Sequence, residues 1–387
     1  MNQGSGEQVR DVIVVGAGPA GLASAIAAKQ AGLSCEVIER GAVVNSILHF
    51  PKNMGFFTTP ELLEVGGVPF VTPYQKPTRD EALRYYRRTV DVFDLEVDLG
   101  HEVESIRPVE GAAGHTLLAV DTTHPHAGSR RRLTRTAVVA VGAYECPNML
   151  GVPGEALSHV SHYYTEAHPY YRKRVVIVGG KNSAAEAALE LYRSGAHVTL
   201  VHRHAELGSG IKYWVRPDIE NRIKEGSVEA LFETRLTEIQ ETHVVVEDAG
   251  GRRTLPADAV FLLTGYHPDT SMLERFGIEV DPATMVPSHE PETYETNVPN
   301  LFVAGQVVSG IHSGLIFIEN GRFHGERVVQ EIARRLAAPR DTTTRASVRV
   351  TDQGGAHRAP GGVLLQPQSA SLPRRERSHL DQLDERL

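Results

Sequence analysis

The sequence predicts an α/β protein in which a parallel-sheet unit is built twice, and three observations carry that reading. An apolar run, a glycine turn and an alanine-rich helix follow one another at residues 11–30 and again at 174–194. Each is succeeded by a second apolar run, residues 35–39 and 197–201, as a strand–helix–strand crossover requires. A further apolar run with a glycine-rich exit, residues 300–304, returns near the C-terminus.

Taken in order, residues 11–15 read as a buried strand, 16–21 as a tight turn, and 20–30 as a helix ending near Gly32. Residues 47–77 hold many Gly, Pro and aromatic residues without helical period, which suits a loop pressed on a ligand better than a linker. Thr78 and Glu81 have capping-box spacing and open a helix to about Phe93. Strands at 102–107, 116–121 and 132–141 suggest an antiparallel excursion ended by Ala140-Val141-Gly142. The second unit repeats the strand at 174–178, the turn at 179–183, and the helix at 184–194, stopped by Gly195. Residues 231–261 alternate as strands with Gly250-Gly251 as a hairpin turn. A last helix is expected to begin near Gly314 and run through Phe317, Ile318 and Asn320, its positive end available to an anion. After Ala338 the composition turns to Pro, Arg, Ser, Thr, Gly and Gln, so residues 339–387 are expected to be a disordered tail.

Composition narrows the function. A chain of 387 residues with 41% hydrophobic content fills two domains. Its 40 Lys plus Arg against 48 Asp plus Glu, a formal charge of -8, argue against a nucleic-acid binder that relies on phosphate neutralisation. No apolar run approaches the roughly 20 residues that cross a bilayer, and residues 1–10 lack a signal-peptide core, so a soluble cytoplasmic protein with no membrane partner is expected. Two cysteines, Cys35 and Cys146, provide no disulfide framework, no Cys-x-x-Cys pair and no thiolate zinc site. His159, His162 and His168 cluster in sequence but read as a crossover, and no metal is expected. His124-Pro125-His126 with Arg130, Arg131 and Arg132 reads as the cap of a solvated hairpin, with docking of an acidic redox protein as the alternative.

The glycine turns carry the chemistry. In Gly16-Ala17-Gly18-Pro19-Ala20-Gly21 the first glycine permits the turn, the second lets backbone approach a pyrophosphate, and the third lets helix pack on strand. Glu39 closes the second strand 21 positions after Gly18, where a carboxylate accepts hydrogen bonds from a ribose. An ordinary glycine turn would need neither the placed helix nor the placed acid. The second turn, Gly179-Gly180-Lys181-Asn182-Ser183-Ala184, keeps the first glycine, puts Ala at the third and Lys181 at the middle one. Lys181 either aims at a pyrophosphate or points into solvent, and position alone leaves both open. The following strand runs into His202-Arg203-His204, so a cation stands where a ribose-binding acid would be, as suits the 2′-phosphate of NADPH. Two Rossmann-like, dinucleotide-binding folds follow, the second suited to NADPH.

Further segments sharpen the picture. Ala140-Val141-Gly142-Ala143 with Val152-Pro153-Gly154-Glu155, the glycine-proline segment 264–270, and residues 296–305 resemble the crossovers and flavin-closing motif of the thioredoxin-reductase-like flavoproteins. Within that group, segments 53–57, 64–70, 162–166, 179–185 and 213–222 resemble the bacillithiol disulfide reductases, over about residues 10–337. The resemblance implies FAD on the first and C-terminal segments, residues 10–155 with 293–338, NADPH on the middle one, 156–292, and reduction of a low-molecular-weight thiol disulfide or a related acceptor such as a small redox protein; a homo-oligomer is expected. It also implies cofactor contacts from Arg40, Asn45, Val103, Ala140, Gly142, Gly305, Gln306 and Ile318, beside the fingerprint residues. Relatives commonly carry Cys where this chain has Ala20, and an acid where it has Gln306. The flavin supplies the chemistry, so no side-chain acid or base is required, and Cys146 is the weak candidate for any thiol role. A ferredoxin or flavodoxin reductase, a flavin monooxygenase and an FAD-bound redox sensor remain as alternatives. For the monooxygenase, the usual Phe-x-Gly-x-x-x-His signature is unmet, since that register on His162 gives Ala156 and Ser158.

Overall fold

A computed structural model describes residues 9–111, 115–312 and 314–337. The expected tail, 339–387, lies outside the described residues. Strand β1 (Arg10–Val15), helix α1 (Pro19–Gln30) and β2 (Cys35–Glu39) form the first crossover, with β1 and β2 parallel. The short helix α2 (Asn45–Leu48) follows, and α3 (Arg79–Val92) opens on the capping box expected of Thr78 and Glu81. The Glu81 N–H donates to Thr78 Oγ1 at 3.3 Å, and the Thr78 N–H donates back to Glu81 Oε2 at 2.8 Å. The chain then lays down β3 (Val97–Leu99), β4 (Glu102–Glu110), β5 (Thr116–His124) and β6 (Gly128–Val139). The order is β3-β2-β1-β6-β5-β4, parallel from β3 to β6 and antiparallel beyond it, with a later strand joining the far end of β6.

Two crossover strands, β7 (Cys146–Pro147) and β8 (Val160–Ser161), lead into the second sheet. There β9 (Arg174–Val178), α4 (Asn182–Arg193), β10 (His197–Val201), α5 (Arg216–Lys224) and β11 (Glu229–Leu231) repeat the winding. An antiparallel trio follows, β12 (Arg235–Ile239), β13 (His243–Asp248) and β14 (Gly251–Pro256), before β15 (Ala259–Leu262) returns to give the parallel order β11-β10-β9-β15-β8. The return path is β16 (Tyr266–His267), antiparallel to β7, then α6 (Thr270–Arg275), β17 (Leu301–Val303) beside β6, and α7 (Ile318–Ala337) packed on α1. Among the described residues no helix is long and apolar enough to cross a membrane.

Each sheet is sealed by its own apolar cluster. Val12, Ile13, Val14 and Val138 are inaccessible to solvent in the first, and Val175, Ile177 and Leu200 in the second. Every such side chain contributes roughly 1.5–3 kcal/mol of burial, which is why these continuous apolar runs settle as strands covered on both faces.

Four expectations change. Helix α7 starts at Ile318 rather than near Gly314, because Asn320 Oδ1 accepts the Phe317 N–H at 2.8 Å and its Nδ2 donates to Leu315 O at 2.8 Å, tying the preceding turn to itself. Strand β6 starts at Gly128, four residues before the expected 132, and Arg132 is no part of a solvated cap. Its side chain is 3% exposed and donates to Glu36 Oε1 at 2.8 Å, to Thr122 Oγ1 at 2.5 Å and to Asp98. The Gly250-Gly251 turn is set one residue earlier, since Asp248 pairs with Gly251, which opens β14 at φ +105°. Strand β3 is added at the edge, where the polar Asp98 interrupts the apolar pattern that marks the others.

Candidate active site

The carboxyl ends of the first parallel strands meet helix α4 of the second sheet across a cavity of about 930 Å³, within the size range of small-molecule and cofactor sites. Its floor is the first glycine turn. Gly16 sits at φ +103°, and a Cβ there would lie 2.7 Å from Ala140 O, while a Cβ on Gly21 would fall 1.9 Å from Gly16 O. Gly18 differs, with ordinary φ -72° and no described atom within 4 Å of a Cβ built on it. No described atom asks for glycine at that position, and the open space beside it faces the cavity. The same turn starts α1, whose N-terminus has no side-chain cap among the described residues. Its first N–H groups therefore suit a pyrophosphate, and the residues present fit FAD.

Glu39 lies at the end of β2 on the cavity wall, 8% exposed. Its Oε2 accepts the Ala17 N–H at 2.8 Å and its Oε1 the Gly41 N–H at 2.7 Å, so the carboxylate fixes the turn and keeps lone pairs for a ribose. Arg40 and Asn45 also line the cavity and converge on Glu145, with Asn45 Nδ2 at 3.2 Å from its Oε1. Val103, Ala140 and Gly142 lie on the same wall. Pro19, Ala20, Gly305, Gln306 and Ile318 close it from α1 and from the approach to α7. Gly21 lies behind, in the packing of α1 on its strand. Asn53 to Phe57, from the loop expected to press on a ligand, complete the rim.

On the opposite wall the structure separates the second turn into parts. Asn182 and Ser183 reach the cavity, whereas Gly179, Gly180, Lys181 and Ala184 stand off its lining. Gly179 leaves room for Leu263 O and the Ala184 methyl, and Gly180 for the His202 ring, which a Cβ would meet at 2.2 Å. Helix α4, like α1, has no side-chain cap among the described residues, so its leading N–H groups are available to a second dinucleotide. Arg203 and His204 are exposed beyond β10, their Nε and Nε2 atoms 3.2 Å apart. Neither reaches the cavity lining.

Several residues on the wall were not anticipated. The rings of Tyr144 and Tyr266 line the cavity 4.6 Å apart, with Tyr163 stacked at 5.5 Å on Tyr266. Burial pushes the Tyr144 and Tyr163 hydroxyls up to about 12, so both keep their protons. Glu186 and Glu190 project from α4, a spacing readable as one helix face once Asn182 is placed on the cavity. His324, on α7, accepts the Gly305 N–H through Nδ1 at 3.2 Å, and burial lowers it to about 4, which keeps the ring neutral and able to accept. Neither cysteine lines the cavity. Burial pushes Cys35 up to about 12, and burial followed by Asp269 raises Cys146, so neither site favours a thiolate.

Two nucleotide-binding sheets facing one cavity define an oxidoreductase that uses FAD and NADPH together. The comparisons with known proteins agree. Residues 13–305 match the pyridine nucleotide-disulphide oxidoreductase family, and the chain belongs to that family. It is 42% identical over 324 residues to the bacilliredoxin reductase Bdr of Bacillus subtilis, covering 84% of this chain and 97% of the relative. The solved bacillithiol disulfide reductase of Bacillus cereus superposes with a TM-score of 0.81 at 40% identity, over 85% of this chain and all of the other. A ferredoxin–NADP reductase of Bacillus licheniformis is 30% identical over 349 residues, 87% of this chain and 92% of the relative.

Proposed function

We propose that this chain is an NADPH-dependent FAD oxidoreductase whose acceptor is a low-molecular-weight thiol disulfide, bacillithiol disulfide being the first candidate. The observation that carries the reading is the cavity itself, with the first glycine turn on its floor and, on each wall, a helix N-terminus that has no side-chain cap among the described residues. The relatives named above support the choice of acceptor. FAD would be held by residues 10–155 with 293–338, and NADPH by 156–292. On the flavin side the holding residues would be Gly18, the N–H groups of Pro19-following Ala20 and Gly21, Glu39, Gly142 and Gln306. On the nucleotide side they would be Asn182, Ser183 and, for the 2′-phosphate, Arg203.

The chemistry FAD supplies when bound is two-electron transfer from NADPH to the acceptor, which no side chain here can perform. The chain's own residues position and shield. Glu39 and Gly16 set the first turn, His324 fixes the Gly305 backbone, and Tyr144, Tyr266 and the Asn53–Phe57 loop line the cavity and would shield a bound flavin. With Ala20 at the flavin side and both cysteines off the cavity, reduction proceeds without a protein mixed disulfide. That feature favours one second reading, electron delivery to a small redox protein, in keeping with the ferredoxin–NADP reductase likeness. A homo-oligomer acting in the cytoplasm completes the proposal; the compartment, not the assembly, is supported by two free cysteines of the kind a reducing environment keeps. Steady-state NADPH oxidation against bacillithiol disulfide, other small disulfides, ferredoxin and flavodoxin tests it. Preferential turnover of a small disulfide is expected, and fast ferredoxin reduction with slow disulfide turnover would install the second reading instead.

A further inference from the structure

Helix α4 turns one face to the cavity, with Asn182, Glu186, Glu190 and Arg193 recurring at helical spacing along the wall. Three of the four are engaged. Asn182 Nδ2 donates to Gly210 O and its Oδ1 accepts the Lys212 N–H, both at 2.9 Å. Glu190 Oε1 accepts from Asn53 Nδ2 at 2.9 Å, and Arg193 pairs with Asp218. The Glu186 side chain alone has no hydrogen bond or ion pair among the described residues. The charged and titratable groups that face it are few. Glu190, one turn along its own helix, presents a like charge. Lys76, from the segment before α3, is the opposing cation, with its ammonium held 3.4 Å above the Trp214 ring. Tyr164, from the crossover, turns a buried hydroxyl towards Glu190 and retains its proton.

A carboxyl stacked on a second carboxylate in a half-buried wall is costly to ionise, and an anion arriving beside it raises that cost. We propose that Glu186 couples dinucleotide binding to proton binding: entry of the anionic dinucleotide drives its carboxylate to take up a proton from solvent. An O–H bond forms at a carboxylate oxygen, a buffer acid gives up the proton, and no electrons move. The inference rests on the reading of α4 as the NADPH helix. Burial first, and then the charge of Glu190, already hold the free acid at about 7, with Lys76 opposing. A neighbouring anion raises it further. Affinity is therefore greatest below about pH 7 and falls as pH rises from there through the bound-state value, with proton uptake on binding across that window.

The test is calorimetric titration of the FAD-loaded full chain with NADP⁺ at pH 7.5, in buffers that differ in ionisation enthalpy. The slope against buffer enthalpy counts protons taken up, and the 2′-phosphate's own titration is shared by wild type and variant. Glu186→Gln is expected to lower the uptake by about 0.3 proton per NADP⁺ and to flatten the rise of Kd with pH, a rise of about threefold or more between pH 6.5 and 8.5 in the wild type. Glu190→Gln, which removes the like charge and leaves Glu186 in place, is expected to move the pH dependence to lower pH, and serves if the first variant fails to fold. Equal uptake in the wild type and Glu186→Gln, or a pH dependence unmoved by Glu190→Gln, would overturn the coupling. No binding heat at all in the wild type would overturn the nucleotide reading of α4 and the inference with it, a result distinct from binding without linkage.

Discussion

Gly18 and Gly21 sit three residues apart in one turn, yet they are glycines for opposite reasons. A Cβ on Gly21 strikes the Gly16 carbonyl, whereas one on Gly18 meets only the open space of the cavity, where the proposed function puts the FAD pyrophosphate. Gly21→Ala should therefore lower the melting temperature of cofactor-free protein. Gly18→Ala should leave that temperature the same or slightly higher, because the native φ suits alanine and the unfolded chain loses freedom worth about 0.4–1 kcal/mol, and should still weaken FAD retention. Melting curves with and without FAD separate the two, and a cofactor-free Gly18→Ala protein as damaged as Gly21→Ala would refute the cradle. The cysteines give a second test at this scale. Cys35→Ser with Cys146→Ser should leave flavin bleaching by NADPH within about threefold of wild type, under roughly 1 kcal/mol, and should preserve acceptor turnover. Stopped-flow bleaching and acceptor-dependent NADPH oxidation read the two halves, and loss of disulfide turnover in Cys146→Ser alone would bring back a protein thiol. The tight turn at Gly16, the helix packing at Gly21 and the place of Glu39 at the end of β2 were legible in the sequence because they lie within one crossover. The surroundings of Glu145, Glu186 and His324 were not, since the groups they face, Arg40, Lys76 and Gly305, come from distant segments.

Among the elements, β6 shows how a local pattern misleads. Three consecutive arginines read as solvated, and Arg131 does pair with Asp121 at the surface, at 2.6 Å. Arg132, on the other face of the strand, is closed in by Glu36 of β2, Asp98 of β3 and Thr122 of β5. Strand alternation alone could have turned it inward, but only the pairing of four strands supplies the carboxylates that make burial of a guanidinium tolerable. Arg132→Ala leaves Glu36 buried beside only the more distant Arg10, at 3.9 Å, and is expected to cost about 3–5 kcal/mol in denaturant unfolding. Thr78→Ala, which removes one half of a capping box, should cost only about 0.5–2 kcal/mol. Comparable losses for the two would mean that the buried network is not what holds these strands. The α7 boundary has the same lesson in reverse, since Asn320 caps backward into residues 315–317, a geometry that periodicity does not reveal.

At the scale of the whole molecule, the two crossovers share a plan but not a task. The first turn keeps its middle glycine and opens directly on the cavity. The second spends its glycines on packing against Leu263 and His202 and sends only Asn182 and Ser183 forward. Under the proposed function that asymmetry matches what each would hold, a flavin beside Ala140, Gly305 and Ile318 on one side, and an exchanging nucleotide approached from exposed Arg203 and His204 on the other. The fold was readable because both strand–turn–helix units are local and their apolar runs continuous. The cavity between them was not, because it is made by residues from both walls that no spacing connects. Anaerobic titration of purified protein with NADPH tests the joint use of that cavity most directly. The expected result is a yellow protein that releases one FAD per chain on denaturation, and whose flavin colour is bleached by NADPH more readily than by NADH. A chain that stays colourless after incubation with excess FAD, or a bound flavin whose colour NADPH leaves unchanged, would contradict it.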